Sequence, residues 1–244
     1  MKSIEYTVKE NICIAPSVYK MTLEGDTSVF TAPGQFINIK LDRFYLRRPI
    51  SVCDWRPDEL DIIYKVVGDG TLYMTQLKNG DRLDCLAGLG NGFDISDCGV
   101  NPAVIGGGVG IPPLYALAKR LVESGRIVTA VLGFNTAREV FFAREFESVG
   151  ANTIVTTVDG SMGTRGFAAD AFGSADCSYV FACGPIPMLK AVYMKFPSCQ
   201  LSLEERMGCG FGACMGCSVE TAGGFKRVCS DGPVFNRDEL LWDV

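Results

Sequence analysis

With 244 residues, 48% hydrophobic and 21% charged, the chain has ordinary globular composition and length for one to two domains plus a small appendage. A net charge of -5 argues against nucleic acid or an anionic membrane surface as partner. Histidine is absent, which excludes His-based triads and zinc hydrolases and removes the commonest acid–base catalyst.

Hydride and electron transfer fit such a chain, because bound cofactors carry the chemistry and little proton shuttling is needed. The eleven cysteines are an odd number and follow no charged, apolar leader. The expectation is a reducing, cytoplasmic setting with thiols free for ligation. The most apolar run, residues 102–118, is broken by glycines and prolines, so no membrane-spanning helix is expected.

Residues 1–98 read as short strands separated by turn signals, an antiparallel barrel or sandwich. Residues 18–24 and 36–41 mostly alternate apolar with polar side chains, and 59–67 and 81–87 add two more strands. Two stretches interrupt the pattern. One is residues 46–52; the other is Val67-Gly68-Asp69-Gly70-Thr71, which runs into a short helical pattern over 72–77. Thr71 is expected to cap that helix, leaving first-turn N–H groups for an anion. A plain capped loop explains the same residues. Arg48 alone is a surface charge, whereas beside a diphosphate-sized site it is a clamp.

From Pro102 the pattern becomes βαβ. Residues 103–105 form a short buried strand, Gly106-Gly107-Gly108-Val109-Gly110 a turn and 112–122 a helix. Residues 127–132, 153–158 and 179–182 are further apolar strands, each followed by a loop and a helical stretch. This predicts a parallel sheet with ligands at the carboxyl ends of its strands, where the glycine turn and Cys183-Gly184-Pro185 both lie. The dinucleotide fingerprint is half met. Its third glycine is missing, Pro112-Pro113 opens the helix, and Gly133-Phe134-Asn135 stands where an acid is usual. A nucleotide pyrophosphate suits a glycine turn at a helix N-terminus, and a purely structural turn is the alternative.

The tail carries Cys209, Cys214 and Cys217 in the C-x4-C-x2-C spacing of plant-type [2Fe–2S] ferredoxins, followed by Cys229. Small residues between the thiols let the backbone wrap closely and turn its amides toward sulfur. Two short strands around a three-residue loop at 222–224 pair Thr221 with Phe225, which sets Cys217 opposite Cys229. A tetrahedral zinc site also takes four cysteines, but it favours two short Cys pairs and only one is present. A disulfide framework suits a smaller, secreted chain. The other seven cysteines read as small buried hydrophobes, and residues 236–240 as a short helix.

Arg48-Pro49-Ile50-Ser51, Gly70-Thr71, the run Gly106 to Pro112 and Cys183-Gly184-Pro185-Ile186-Pro187-Met188-Leu189 occur in the order found in the ferredoxin–NADP reductase superfamily. With the tail segments 202–209 and 226–235, the chain resembles the electron-transfer subunits of type B, NAD-dependent dihydroorotate dehydrogenases. The resemblance covers nearly the whole length.

It implies an FAD-binding β-barrel over residues 1–98, a Rossmann-like NAD(H)-binding α/β domain over 99–198 and a [2Fe–2S] segment over 199–244. Arg48 would contact the FAD diphosphate, Pro49 to Ser51 would line the flavin, and Gly70 with Thr71 would hold phosphate. Ile63, Tyr64 and Lys65 would frame the cofactor from their backbone. An aromatic usual in the superfamily is replaced by Ile50. NAD(H) would lie over Gly106, Gly107, Gly108 and Gly110, with Cys183, Gly184 and Pro185 near the nicotinamide, and Cys209, Cys214, Cys217 and Cys229 would ligate the cluster. The implied partner is an FMN-containing dihydroorotate dehydrogenase catalytic subunit, two copies of each forming a heterotetramer. The alternatives are the small subunit of another NAD(P)H-dependent ferredoxin oxidoreductase and a non-catalytic module with a structural zinc tail.

Overall fold

The computed structural model describes residues 1–171 and 177–242. Six antiparallel strands close into a barrel: β1 (Lys2–Ala15), β2 (Val18–Glu24), β3 (Phe36–Ile39), β4 (Arg48–Arg56), β5 (Glu59–Lys65) and β6 (Arg82–Leu89). Their order is β1-β2-β5-β4-β3-β6. Period-two patterning drives the closure. In β6, Leu83, Cys85, Ala87 and Leu89 are buried while the residues between them are partly exposed. Leu83, Cys85 and Ala87 join Ile37, Ile39, Leu60 and Ile62 in one core cluster, while Leu89 belongs to another that reaches the tail.

Residues 46–52 do not interrupt the barrel, because 48–56 form its strand β4. The first strand, β1, was not foreseen. Its burial lacks clean alternation, and its pairing with β2 is broken by two register shifts. After β5 comes α1 (Asp69–Met74). It starts three residues earlier than expected, so Thr71 lies inside its first turn and caps from the third helical position, not from the position before the helix. The Thr71 hydroxyl accepts from the Val67 and Gly68 N–H groups at 2.9 and 3.2 Å.

The second half holds β7 (Pro102–Gly107), α2 (Pro112–Glu123), β8 (Thr129–Phe134), α3 (Ala143–Ser148), β9 (Asn152–Thr157), β10 (Thr164–Arg165), β11 (Tyr179–Cys183) and α4 (Ile186–Lys195). The tail adds β12 (Cys199–Ser202), the hairpin strands β13 (Ser218–Thr221) and β14 (Gly224–Arg227), and β15 (Val234–Asn236). A seven-stranded sheet runs β10-β9-β8-β7-β11-β12-β15. Every neighbouring pair in it is parallel except β12 with β15. The tail is thus stitched into this sheet at both ends. Residues 237–239 form a single 3₁₀ turn.

The two halves share packing. Ala15, Val18, Cys53 and Ile63 of the barrel join Leu114, Leu117 and Leu121 of α2 in one core cluster. Lys119 reaches Asp54 at 3.1 Å, and the Arg120 guanidinium lies 4.8 Å from the Trp55 ring centroid. No helix among the described residues is long and apolar enough to cross a membrane.

Candidate functional site

Three places on the chain collect the residues singled out in the sequence. The first is a split in the barrel. The β4–β5 ladder ends at Val52 opposite Ile62, so Arg48–Ser51 and Ile63–Lys65 run on without pairing to each other. A ladder that stops leaves backbone N–H and C=O groups in search of partners. Pro49 and Ser51 pair with Asn38 and Phe36 of β3, on the strand face that turns away from the barrel interior. Ile50 pairs with Ile37 and packs partly against the barrel core. Along β5, Ile63 joins the core between the halves. The Tyr64 ring stacks on Tyr19 at 5.7 Å inside, and its hydroxyl donates to Asn11 Oδ1 at 3.0 Å.

Arg48 and Gly70 meet at one edge of this split. The Arg48 guanidinium lies so close to the first turn of α1 that a Cβ at Gly70 would stand 2.1 Å from its Nε. Only glycine fits there without moving the arginine. The guanidinium also lies 4.8 Å from the Phe44 ring centroid and donates to the Leu46 carbonyl, which fixes its direction. A planar cation beside unpaired first-turn amides is a chemical match for a diphosphate.

The second place is a cleft of about 550 Å³ at the carboxyl ends of β7, β8, β9 and β11. Gly107, Gly108, Gly110, Gly184 and Pro185 line it, and Lys65 reaches it from the barrel. Gly110 is required by close approach, since a Cβ there would lie 2.3 Å from the Cys183 carbonyl oxygen. Gly106 sits behind the wall against Ile111 and Leu114. Cys183 is buried there too, and burial pushes its thiol up to about 12, so it stands neutral.

Three acids line this cleft and escaped the sequence reading, Glu139, Asp170 and Glu204, and two of them bear on its chemistry. Glu139 follows β8 by five residues, and its Oε2 accepts from the Asn135 N–H at 3.2 Å and Nδ2 at 3.0 Å. The chain therefore folds a carboxylate back to the strand end where none stands in sequence. An acid four residues after the Asn that follows the strand was the available signal. Glu204, just past β12, lines the opposite side. It is open to water yet ringed by protein, and that burial raises its carboxyl above the ordinary range.

The third place is the tail loop. Cys209 Sγ accepts from the Ala213 and Cys214 N–H groups at 3.2 and 3.4 Å. Cys214 Sγ accepts from the Cys209 N–H at 3.4 Å, and Cys229 Sγ from the Gly212 N–H at 3.1 Å. Burial acts to raise the Cys209 thiol, but N–H donors from Phe211, Cys214 and Ala213 outweigh it and bring it down to about 6. Burial and the Cys217 thiol beside it push Cys229 up to about 12.

The hairpin register differs from the expected one by a residue. Thr221 pairs with Gly224, giving a two-residue loop at Ala222-Gly223. Gly224 takes φ +97° as the first residue of β14, so the chain reverses within the strand and not in a longer loop. Cys217 consequently faces Val228, whose N–H bonds its carbonyl at 3.0 Å. Cys229 still lies alongside, its N–H 3.4 Å from Cys217 Sγ.

The sulfurs thus fall into two neighbouring pairs, Cys209 with Cys214 and Cys217 with Cys229. Among the described residues no three His, Cys, Asp or Glu side chains converge as the ligands of a single metal ion would. Two irons sharing four thiolates in pairs suit this donor set, and the amides aimed at sulfur suit its negative charge.

Residues 204–241 match the model of the iron–sulfur cluster binding domain of dihydroorotate dehydrogenase B. The chain is 45% identical to the dihydroorotate dehydrogenase B (NAD(+)) electron transfer subunit of Geobacillus sp. (strain WCH70), over 99% of each chain. It is 40% identical to the corresponding subunit of Fusobacterium nucleatum subsp. nucleatum, over 96% of this chain and 97% of that one. Among solved structures it is similar to one described as an NADH-dependent reduced ferredoxin-NADP oxidoreductase. That match has TM-score 0.86 and 33% identity, and covers 97% of this chain and 90% of the other. An Amycolatopsis cytochrome P450 reductase shares the fold at TM-score 0.71 and 21% identity, over 80% of this chain and 65% of its own. The chain belongs to the family of dihydroorotate dehydrogenase B electron transfer subunits.

Proposed function

We propose that this chain carries electrons between NAD(H) and an FMN-containing dihydroorotate dehydrogenase catalytic subunit, two copies of each assembling in the cytoplasm. FAD and a [2Fe–2S] cluster, when bound, supply the two-electron and one-electron chemistry. The chain's own residues hold and orient. Arg48, Gly70 and Thr71 bind the FAD diphosphate. Pro49, Ile50 and Ser51 line the flavin from one edge of the split barrel, and Ile63, Tyr64 and Lys65 present backbone from the other. Gly106 to Gly110 and Cys183 to Pro185 shape the nicotinamide cleft, and the four tail thiols ligate the irons. The barrel, the sheet unit and the tail segment act as the flavin, nucleotide and cluster modules, in chain order.

Glu139 supports NAD over NADP. A carboxylate at the end of the second parallel strand accepts from a ribose 2′-hydroxyl and repels a 2′-phosphate. The observation that carries the reading is the split between β4 and β5, flanked by the nucleotide cleft and by the cysteine loop. One chain thus presents an entry for hydride, a slot for a flavin and an exit for single electrons. The likeness to an NADH-dependent reduced ferredoxin-NADP oxidoreductase favours, as a second reading, a flavin subunit of a ferredoxin-linked enzyme.

Co-expression with the FMN subunit tests the first reading. The purified complex is expected to reduce NAD+ with dihydroorotate, while this chain alone reduces none. Dihydroorotate oxidation by the isolated chain, or a complex that turns over with ferredoxin and not with dihydroorotate, contradicts it.

A further inference from the structure

The cluster loop is hydrogen-bonded to the barrel through the side chain of Asn38. β3 alternates strictly, with Ile37 and Ile39 fully buried in the barrel core and Asn38 between them turned outward. Asn38 is only 1% exposed, and its Nδ2 donates to the Cys209 carbonyl at 3.1 Å. Among the described residues this is the one hydrogen bond from residues 208–216 to the barrel. The loop is shaped to admit it. Gly210 takes φ +78°, and a Cβ there would stand 2.3 Å from Asn38 Nδ2.

The other end of the carboxamide is telling. Asn38 Oδ1 is buried with no hydrogen-bond partner. A buried, unsatisfied acceptor destabilises a fold, and an apolar residue of similar volume would avoid it. The Cys209 carbonyl demands a donor, which sets the orientation of the amide. Asn38 thus carries a cost at one end and gains a contact to the tail at the other.

Its position in the barrel gives that contact a purpose. Asn38 pairs directly with Pro49, in the stretch assigned to the flavin, and its carbonyl accepts from Arg47 NH1 at 3.3 Å. Arg47 is itself tied to Asp84 of β6 at 3.0 Å, so the strand that holds Asn38 is braced on the far side.

We propose that Asn38 is a positioning residue that seats the cysteine loop on the flavin-lining strands, holding Cys209 one hydrogen bond away from the partner of Pro49. This rests on the reading of the split barrel as a flavin slot and of the four thiols as cluster ligands. Electron tunnelling falls steeply with distance, so a loop held at the strand pair keeps the path short. With flavin and cluster bound, NADH would give the flavin a hydride and leave as NAD+; one of the two electrons would pass to the cluster and the other would stay on the flavin.

The test uses the full chain with flavin and cluster bound, mixed anaerobically with NADH. Flavin bleaching reports the hydride step, and the electron paramagnetic resonance signal of the reduced cluster reports the next one. In Asn38→Leu, bleaching is expected at the parent rate. Losing one hydrogen bond of ordinary strength should speed amide exchange at residues 210–212 by roughly two- to tenfold, and the loosened loop should slow the appearance of the cluster signal. Gly210→Ala, which pushes a methyl into the same amide from the loop side, should produce the same changes. Cluster signal and exchange rates equal to the parent's in both variants would overturn the assignment. A parent chain that bleaches with NADH yet never gives the cluster signal refutes the electron route itself, a result distinct from any effect of Asn38.

Discussion

At the scale of residues, two side chains make opposite electrostatic statements. Arg48 presents a guanidinium directed by Phe44 and the Leu46 carbonyl and pressed against Gly70. Its hydrogen bonds to a diphosphate would be charge-assisted, worth about 1.5–3 kcal/mol, so Arg48→Ala should weaken FAD binding by roughly ten- to a hundredfold. Titrating flavin into the deflavinated variant measures this, and an unchanged affinity would remove Arg48 from the site. Glu204 is the reverse case, a carboxyl whose burial favours its neutral form. The native state holds that proton more tightly than the unfolded chain does. Its contribution to stability is therefore complete below the ordinary value of 4.5 and is lost as pH rises through the raised native value. Glu204→Gln should raise the Tm of the nucleotide-free chain at neutral pH, with the gain shrinking to nothing near roughly pH 4. An equal gain at both pH values would show that burial of charge is not the cause.

Between elements, the tail is fastened by side chains that no local pattern announces. Asn91, just after β6, donates through Nδ2 to the Asp231 and Val234 carbonyls at 3.1 and 3.0 Å, and its Oδ1 accepts from the Val234 N–H at 3.1 Å. Asn91→Ala would leave the Val234 backbone groups without these partners beside a buried side chain. It should cost about 1–3 kcal/mol in chemical denaturation and speed exchange of the Val234 amide. A loss under about 0.5 kcal/mol would mean that water replaces the asparagine. Such links explain what the sequence could and could not reveal. The cysteine spacing and the glycine turn before α2 are local chemistry and were legible. The register of the β13–β14 hairpin was missed by one residue because two glycines allow more than one turn, and only φ at Gly224 decides between them. β1 was overlooked because its bulges break the alternation that identifies a strand. Contacts such as Asn38 to Cys209, 171 residues apart, leave no periodic trace at all.

Across the whole molecule, three sites are held together by shared cores. One core cluster joins barrel residues to α2, and another joins Phe36 and Leu89 of the barrel to Cys217, Val228 and Cys229 of the tail. The absence of histidine suits such a relay, whose residues position cofactors and shuttle few protons. The most direct measurement is electron paramagnetic resonance of the purified chain, made with ample iron and riboflavin, before and after anaerobic addition of NADH. The account predicts a silent oxidised sample that gains the signal of a reduced [2Fe–2S] centre once NADH is present. A sample that carries FAD, iron and sulfide and stays silent with NADH would contradict it.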